Sequence, residues 1–356
     1  MKNGGDRLQA GEWHRQGEQS AGALRIGFLW LMYRWFGKGF QKLLCAPVML
    51  FIYPFARPAK AALRAFYSVL GEYKGLKGLK GVREEMKIFR HLLGFAWSLA
   101  DKTDACTLKK NLPTMTVRDD DGWRAFDALT RSGKGAFLLS THLGTAEVLP
   151  ALPVALGRAD SQPHVHAFQQ MGHDAEFTRV FMRHFDHVHL TLHAVEDIGV
   201  ETAVAMQEAL GRGELVLMAG DRPSAGSGKV LPHDFLGRPC VWPKGVFVFA
   251  RLLEAPIFFM TCVRTGWNAY EAHFEQYGSG GSLTSDGLLD AYAKFLERET
   301  LARPDQWFQF YDFFGQIGSS SVSDNRRPPI DNRRPPPANR QSPTDNRQPI
   351  RDTQTF

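Results

Sequence analysis

The chain has 356 residues, with 43 Lys and Arg against 37 Asp and Glu and a formal net charge of +6. Residues 1–57 carry a net charge of +5 and residues 318–356 carry +3, which leaves −2 between them. Basic charge at the ends does not predict a nucleic-acid groove, and we find no DNA or RNA recognition motif. The four cysteines show no C-x-x-C pairing, which argues against a disulfide scaffold or a structural zinc site.

The N-terminal region divides into a polar lead, residues 1–24, and a segment rich in Trp, Phe and Leu, residues 25–57. Arg34, Lys38 and Lys42 are spaced by four, which predicts that they share one helical face. Basic residues on one face and aromatic residues elsewhere are typical of a helix that lies in a membrane interface. We therefore expect residues 25–57 to associate with a membrane surface.

Two alternatives for this segment stay open. The apolar run after Lys42 contains Pro47 and Pro54 and is too short to cross about 30 Å alone. A bent spanning segment over residues 26–56 is the first alternative. A helix packed on the protein's own core is the second.

The sequence pattern of residues 58–317 predicts one α/β domain. The first part, to about residue 125, is helical, and beyond residue 134 apolar runs alternate with helical stretches. This alternation predicts a mixed sheet flanked by helices, with active residues at strand ends. Strands are predicted at 136–141, 164–168, 187–192, 214–219 and 256–263, and helices at about 146–156, 173–185, 199–211, 243–253 and 285–302.

The tail, residues 318–356, repeats a seven-residue unit that contains Asn-Arg and proline. Its few large apolar residues cannot bury enough surface to fold, so we predict a disordered extension.

A histidine and a carboxylate follow the first predicted strand. His142 can accept a proton near neutral pH, and a carboxylate such as Glu147 can fix its tautomer. On one continuous helix the two side chains would point about 140° apart, so we place His142 on the turn and Glu147 in the first helical turn. Gly144 relaxes the backbone between them, and Thr145 is the expected N-cap.

This pair indicates acyl transfer. It has the base and the orienting carboxylate of a catalytic triad without a protein nucleophile, so the nucleophile is expected to be the substrate's own hydroxyl or amine. The chain contains no G-x-S-x-G nucleophile elbow, which argues against a hydrolase. The alternative is a loop histidine followed by an ordinary first-turn glutamate.

Four sequence blocks in order resemble the lysophospholipid acyltransferase superfamily, and within it the lipid A biosynthesis (late) acyltransferase branch. The first block holds the HX4E motif, His142 to Glu147, and the second runs from residue 215 through Asp221 and Arg222 to residue 239. The others cover residues 243–264 and 303–314. The resemblance implies acyltransferase-like αβα layers and a His142–Glu147 dyad.

The resemblance also implies the substrates and the location. The donor would be an acyl carrier protein thioester or acyl-CoA, with no other cofactor, and the acceptor a membrane lipid or glycolipid. The enzyme would work at the cytoplasmic face of a bacterial inner membrane. The residues expected in substrate binding are Gly144 and Thr145 for the oxyanion and Asp221 and Arg222 on the acceptor side. Arg238 and Arg264, with Lys229 and Lys244, are further cations, of which one or two would contact the acidic carrier protein or the donor's phosphate. For Asp221 and Arg222 the alternative is an intramolecular salt bridge.

The chain departs from this branch at two places. Thr145-Ala146 stands where Asn-Trp commonly precedes the glutamate, and residues 167–170 read Ala-Phe-Gln-Gln where an arginine is often found. A glutamine cannot match the bidentate hold of arginine on phosphate, which weakens the case for a phosphorylated lipid A acceptor. A hydrolase with the same dyad and a non-catalytic membrane scaffold are the rival functions.

Histidines are dense between residues 164 and 193, which hold seven of the twelve in the chain. Their spacing matches no zinc motif, and His187 and His189 alternate with apolar residues as on one face of a strand. We predict no metal site.

Overall fold

The computed structural model describes residues 23–76, 80–107, 112–149, 151–158, 162–170, 189–222, 229–279 and 284–315. The polar lead to residue 22, the predicted helix at 173–185 and the tail from residue 318 lie outside the described residues. The helices are α1 (Ala23–Ile52), α2 (Arg57–Tyr73), α3 (Val82–Thr107), α4 (Asp121–Arg131), α5 (Ala151–Ala155), α6 (Val200–Gly211), α7 (Lys244–Leu252) and α8 (Ser285–Ala302). The strands are β1 (Thr114–Val117), β2 (Ala136–Ser140), β3 (Val165–Gln169), β4 (Leu190–Ala194), β5 (Leu215–Ala219), β6 (Val230–Phe235), β7 (Arg238–Pro243), β8 (Pro256–Gly266) and β9 (Ala269–Ser279).

Seven strands form one mixed sheet in the order β1-β9-β8-β2-β5-β3-β4. All neighbouring pairs are parallel except β8 and β9, which are antiparallel. Strands β6 and β7 form a separate antiparallel hairpin. The predicted α/β class, with a mixed sheet flanked by helices, is confirmed.

The central strand β2 is buried along its whole length. Phe137 and Leu139 pack into the core on one side of the sheet, and Ala136 and Leu138 pack into the core on the other. A parallel strand covered by helices on both faces needs apolar residues at every position, which explains the uninterrupted apolar run. The first polar side chains along this strand therefore occur at its carboxyl end.

Strands β2, β3, β5 and β8 correspond to the strands predicted at 136–141, 164–168, 214–219 and 256–263. Helices α6, α7 and α8 correspond to the helices predicted at 199–211, 243–253 and 285–302. The predicted strand at 187–192 is β4, which lies at Leu190–Ala194. The predicted helix at 146–156 is instead a 3-10 turn, Ala146–Val148, followed by the short α5. Thr145 occupies the N-cap position of that turn, but its side chain makes no capping hydrogen bond.

The N-terminal helix α1 presents an apolar surface in its second half. Phe51 is 75% exposed, and after the helix Phe55 is 72% exposed. No single helix of the described part is long and apolar enough to cross a membrane. The helical segments Gly39–Phe55 and Arg57–Tyr73, bent by 90° at their junction, satisfy the length and composition criteria together.

The prediction that Lys42 belongs to a basic membrane-facing surface is wrong. Its side chain is fully buried, and its Nζ donates to Asp101 Oδ2 at 2.6 Å and to the backbone oxygen of Trp267. The Tyr270 hydroxyl donates to the same Asp101 oxygen at 2.6 Å. Spacing by four places residues on one face but does not say which face meets solvent. The side chains of Arg34 and Lys38 lie outside the described part.

We predict that Lys42→Met lowers the free energy of unfolding by about 3–5 kcal/mol, because the Asp101 carboxylate loses its buried counter-charge. Denaturant unfolding of the purified protein measures this change. Lys294→Met is the control, since Lys294 is 71% exposed and its pair with Asp290 contributes at most about 1 kcal/mol. Equal, small losses in the two variants would contradict a stabilising role for the buried pair.

Candidate active site

His142 and Asp221 meet at the carboxyl ends of two adjacent parallel strands. The register pairs Ser140 of β2 with Ala219 of β5, and each functional residue follows two positions later. His142 Nδ1 lies 2.7 Å from Asp221 Oδ1. Carboxyl ends of parallel strands are where open α/β sheets place their ligand sites. The strand register, rather than local sequence, therefore brings this pair together.

The Asp221 carboxylate is fully buried and richly hydrogen-bonded. The backbone N–H of His142 donates to both oxygens, at 3.1 Å and 2.9 Å, and the indole N–H of Trp307 donates to Oδ2 at 3.1 Å. Desolvation raises the pKa of Asp221, but the His142 charge and these hydrogen bonds outweigh it and hold the pKa below its ordinary value. Asp221 is therefore an anion whose hydrogen bonds fix the His142 ring.

His142 itself is 33% exposed. With Nδ1–H donated to Asp221, the tautomer leaves a lone pair on Nε2. Nε2 makes no hydrogen bond to another described residue of the chain. The ring lines the cavity described below, so this nitrogen is available to a substrate proton.

Glu147 does not hydrogen-bond to His142 in the described structure. Its Oε1 accepts from Lys102 Nζ at 3.1 Å, and its side chain is 52% exposed where it faces the cavity. Desolvation raises the pKa of Glu147, but the Lys102 charge and hydrogen bonds outweigh it and leave the pKa lowered. The carboxylate predicted to orient the histidine is thus an ion-pair partner beside the same site.

The backbone amides of Gly144 and Thr145, predicted to bind an oxyanion, are already engaged. Gly144 N–H donates to the Gln306 carbonyl at 2.8 Å, and Thr145 N–H donates to the Cys262 carbonyl at 2.7 Å. Gly144 has a φ of +78°, and a Cβ built on it would lie 2.0 Å from the Cys262 oxygen. These bonds fix the turn after His142 against β8, so the turn has a structural role.

A cavity of about 970 Å³ is lined by His142 and by residues of β3, β4 and β5. Its wall includes β5 from Ala219, at the end of the strand nearest Asp221, to Leu215, a distance of roughly 13 Å at strand rise. Most of its wall is apolar. Helix α4 and the segment around α5 also line it, through Trp123, Phe126, Leu149 and Leu152.

The three predicted arginines lie in different places. Arg222 lines the cavity, with its guanidinium 5.7 Å from the Tyr311 ring centre. Arg238 pairs with Glu72 of α2 and does not line this cavity. Arg264 packs 4.9 Å from the ring centre of Trp97, also outside the cavity wall. The structure therefore brings only Arg222 to the site.

The histidines of β3 and β4 form a hydrogen-bonded group. His166 Nδ1 lies 2.9 Å from His193 Nε2, and His166 Nε2 lies 2.6 Å from Glu214. Within the residues that the structure describes, no group of three or more His, Cys, Asp or Glu side chains is placed to hold a metal ion.

Sequence reasoning missed three contributions to the site: the role of Asp221 as the partner of His142, the cation of Lys102, and the indole of Trp307. One signal was present, because His142 and Asp221 each follow an apolar run at the same two-residue offset. Nothing in the sequence alone signals the Trp307 contact.

No protein-family model matches the chain, and neither does any curated protein. The resemblance to lipid A acyltransferases therefore stays a prediction.

We predict that Gly144→Ala destabilises the protein by at least about 1–2 kcal/mol, since alanine must adopt a positive φ and its Cβ collides with the Cys262 carbonyl. Thermal unfolding measures the loss. Gly211→Ala is the matched control, because a Cβ there meets nothing within 4 Å. Equal melting temperatures for the two variants would show that the turn after His142 is not constrained.

Proposed function

We propose that this protein is an acyltransferase. It moves a fatty acyl chain from an acyl carrier protein or CoA thioester to a hydroxyl or amine of a membrane lipid or glycolipid. One observation carries the proposal: a histidine oriented by a buried aspartate lies at the end of a long apolar cavity. The HX4E motif and the three later sequence blocks support it.

The geometry suits general-base catalysis. Nε2 of His142 takes the proton from the acceptor O–H or N–H as that atom attacks the thioester carbonyl carbon. The resulting tetrahedral intermediate collapses with cleavage of the C–S bond, and the imidazolium returns its proton to the thiolate. Asp221 stabilises the imidazolium, as the carboxylate does in a catalytic triad. The acceptor replaces the protein nucleophile of that triad.

The cavity fits an alkyl chain. Leu215 and Leu217 of β5 and Val165 and Ala167 of β3 form a continuous apolar wall. Burying apolar surface contributes about 25 cal/mol per Å², so an acyl chain gains affinity from each methylene it places there. The carbonyl end of such a chain would remain beside His142.

The polar groups at the catalytic end favour an acceptor with neutral hydroxyls and limited negative charge. Gln169 and Gln170 line the cavity at the end of β3, where lipid A enzymes often carry arginine. An amide donates and accepts single hydrogen bonds and so suits a sugar or glycerol hydroxyl. Arg222 provides one guanidinium for an anionic group.

The exposed apolar surface around the end of α1 supports attachment to a membrane surface. Leu50, Phe51 and Phe55 are all more than 60% exposed. Contiguous exposed apolar residues of this kind mark interaction sites. Together with the resemblance, this surface favours the cytoplasmic face of a bacterial inner membrane, where acyl carrier protein is the expected partner.

We expect Asp221→Asn to lower kcat by about 10²–10⁴, close to the effect of His142→Ala, because both remove the oriented base. Glu147→Gln should cost less, since Glu147 pairs with Lys102. Single-turnover acyl transfer from a labelled thioester measures all three, and circular dichroism confirms that each variant folds. If Glu147→Gln were the more damaging carboxylate substitution, the HX4E dyad would stand and the Asp221 assignment would fail.

Mass spectrometry of membrane lipids identifies the acceptor. Cells that lack the native gene express either the wild-type protein or His142→Ala, and we expect a lipid heavier by one acyl chain only with the wild type. Free fatty acid without an acylated lipid would identify a hydrolase. Identical lipid profiles, with both proteins folded and membrane-bound, would favour a scaffold or a non-lipid acceptor over lipid acylation.

For membrane attachment, we predict that the double variant Phe51→Asp, Phe55→Asp binds vesicles that contain phosphatidylglycerol at least about 10-fold more weakly than the wild type. Each phenylalanine side chain that becomes buried in the membrane contributes about 1.5–3 kcal/mol to binding. Vesicle sedimentation measures binding. Val200→Asp is the control, since Val200 is 83% exposed and belongs to α6 rather than α1. Equal binding of the two variants would place the membrane contact elsewhere.

A further inference from the structure

Among the described residues, Trp307 donates the one hydrogen bond that the Asp221 carboxylate receives from a residue other than His142. Asp221 Oδ1 accepts from His142 Nδ1 at 2.7 Å, and Oδ2 accepts from the backbone N–H of His142 at 2.9 Å. The indole Nε1–H of Trp307 donates to Oδ2 at 3.1 Å. A carboxylate is free to turn about its last bond, so a donor fixed on Oδ2 determines where Oδ1 points.

The indole is itself held rigidly. Trp307 is fully buried, and its ring centre lies 5.1 Å from those of Phe66, Phe235 and Phe313. Its carbonyl oxygen lies 3.1 Å from His91 Nε2. Side-chain packing and this backbone hydrogen bond therefore fix the orientation of the indole ring, and with it the direction of the N–H bond.

The residues after Trp307 extend the same contact. Phe308 N–H donates to the His142 carbonyl at 2.9 Å, and the Gln309 side-chain amide donates to the Asp221 carbonyl at 3.0 Å. The closing segment, residues 303–315, thus binds the backbone of both members of the pair. Of the side chains in it with described hydrogen bonds, that of Trp307 is the one that reaches the carboxylate.

We infer that Trp307 is a positioning residue for the proposed reaction: its indole N–H holds the Asp221 carboxylate in the orientation that aligns His142. The inference rests on the proposed function for its kinetic consequences. Without the N–H, Oδ2 loses a donor in a site that excludes water, and negative charge shifts toward Oδ1. The imidazolium is then stabilised more strongly, while the carboxylate is less firmly oriented.

Trp307→Phe removes the N–H and keeps an aromatic ring. Trp242→Phe is a matched control, because Trp242 is also fully buried, packs on Phe235 and Phe313, and donates its indole N–H to the His233 carbonyl at 3.2 Å. We expect Trp307→Phe to lower kcat about 10-fold with little change in KM, and to move the acid limb of the pH profile of kcat to higher pH. Trp242→Phe should leave the acid limb unchanged. Matching kcat values and pH profiles in the two variants would overturn the inference.

A second variant tests the same inference if Trp307→Phe does not fold. Incorporation of 3-(3-benzothienyl)alanine at position 307 replaces the N–H by sulfur and keeps the size and shape of the indole. The same loss of kcat and shift of the acid limb are expected. Wild-type kinetics from this variant would overturn the inference, because only the donor has been removed.

A measurement without substrate separates this inference from the proposed function. In ¹⁵N-histidine-labelled protein, the Nδ1–H resonance of His142 is assigned from its loss in His142→Gln. We expect this resonance to move in Trp307→Phe and to stay in place in Trp242→Phe. If it moves while the wild-type protein transfers no acyl group, the positioning role stands and the proposed function fails. If it stays in place in Trp307→Phe, the inference fails whatever the activity.

Discussion

The site is organised around a buried charge, whose lost hydrogen bonds to water must be replaced by donors from the protein. A carboxylate as deeply buried as Asp221 is stable only when hydrogen-bond donors replace its lost solvent. The ring and backbone of His142 and the indole of Trp307 provide those donors. They come from the end of β2 and from the closing segment, so one desolvated carboxylate ties three distant parts of the chain together. The orientation of the histidine follows from that requirement.

The strands that are easiest to predict from the sequence are those that are buried on both faces of the sheet. Strands β2 and β5 lie in the middle of the sheet between parallel neighbours, so they appear in the sequence as apolar runs. Strand β9 lacks such a run, because it alternates buried apolar residues with polar ones such as Glu271, which pairs with Arg118. This period of two fits a strand with one polar face. Strand β6 contains Pro232, which lowers strand propensity although a two-stranded hairpin tolerates it. Pairing partners, rather than local propensity, define these strands.

The site shows the same division between local and distant information. His142 was recognisable because its chemistry and its position after an apolar run are both local. Its partner was sought five residues away, at Glu147, whereas the structure supplies Asp221 from 79 positions along the chain. Parallel register decides this pairing, and register is not encoded in either segment alone. The contact of Trp307 is more distant still, because it depends on how the chain returns across the sheet after α8.

The N-terminal helices also contribute to the framework of the site. His91 of α3 lies between the Tyr67 hydroxyl of α2, at 2.9 Å, and the Trp307 carbonyl. Burial lowers the pKa of His91 to about 4, so the ring stays neutral near pH 7, where it can accept from Tyr67 and donate to Trp307. Lys42 anchors α1 to α3 through Asp101 in the same way, by a buried polar contact. The helix expected at the membrane, α1, and the histidine expected at the substrate therefore belong to one packed unit. A change in α2 or α3 has a physical route to His142 through Trp307 and Asp221.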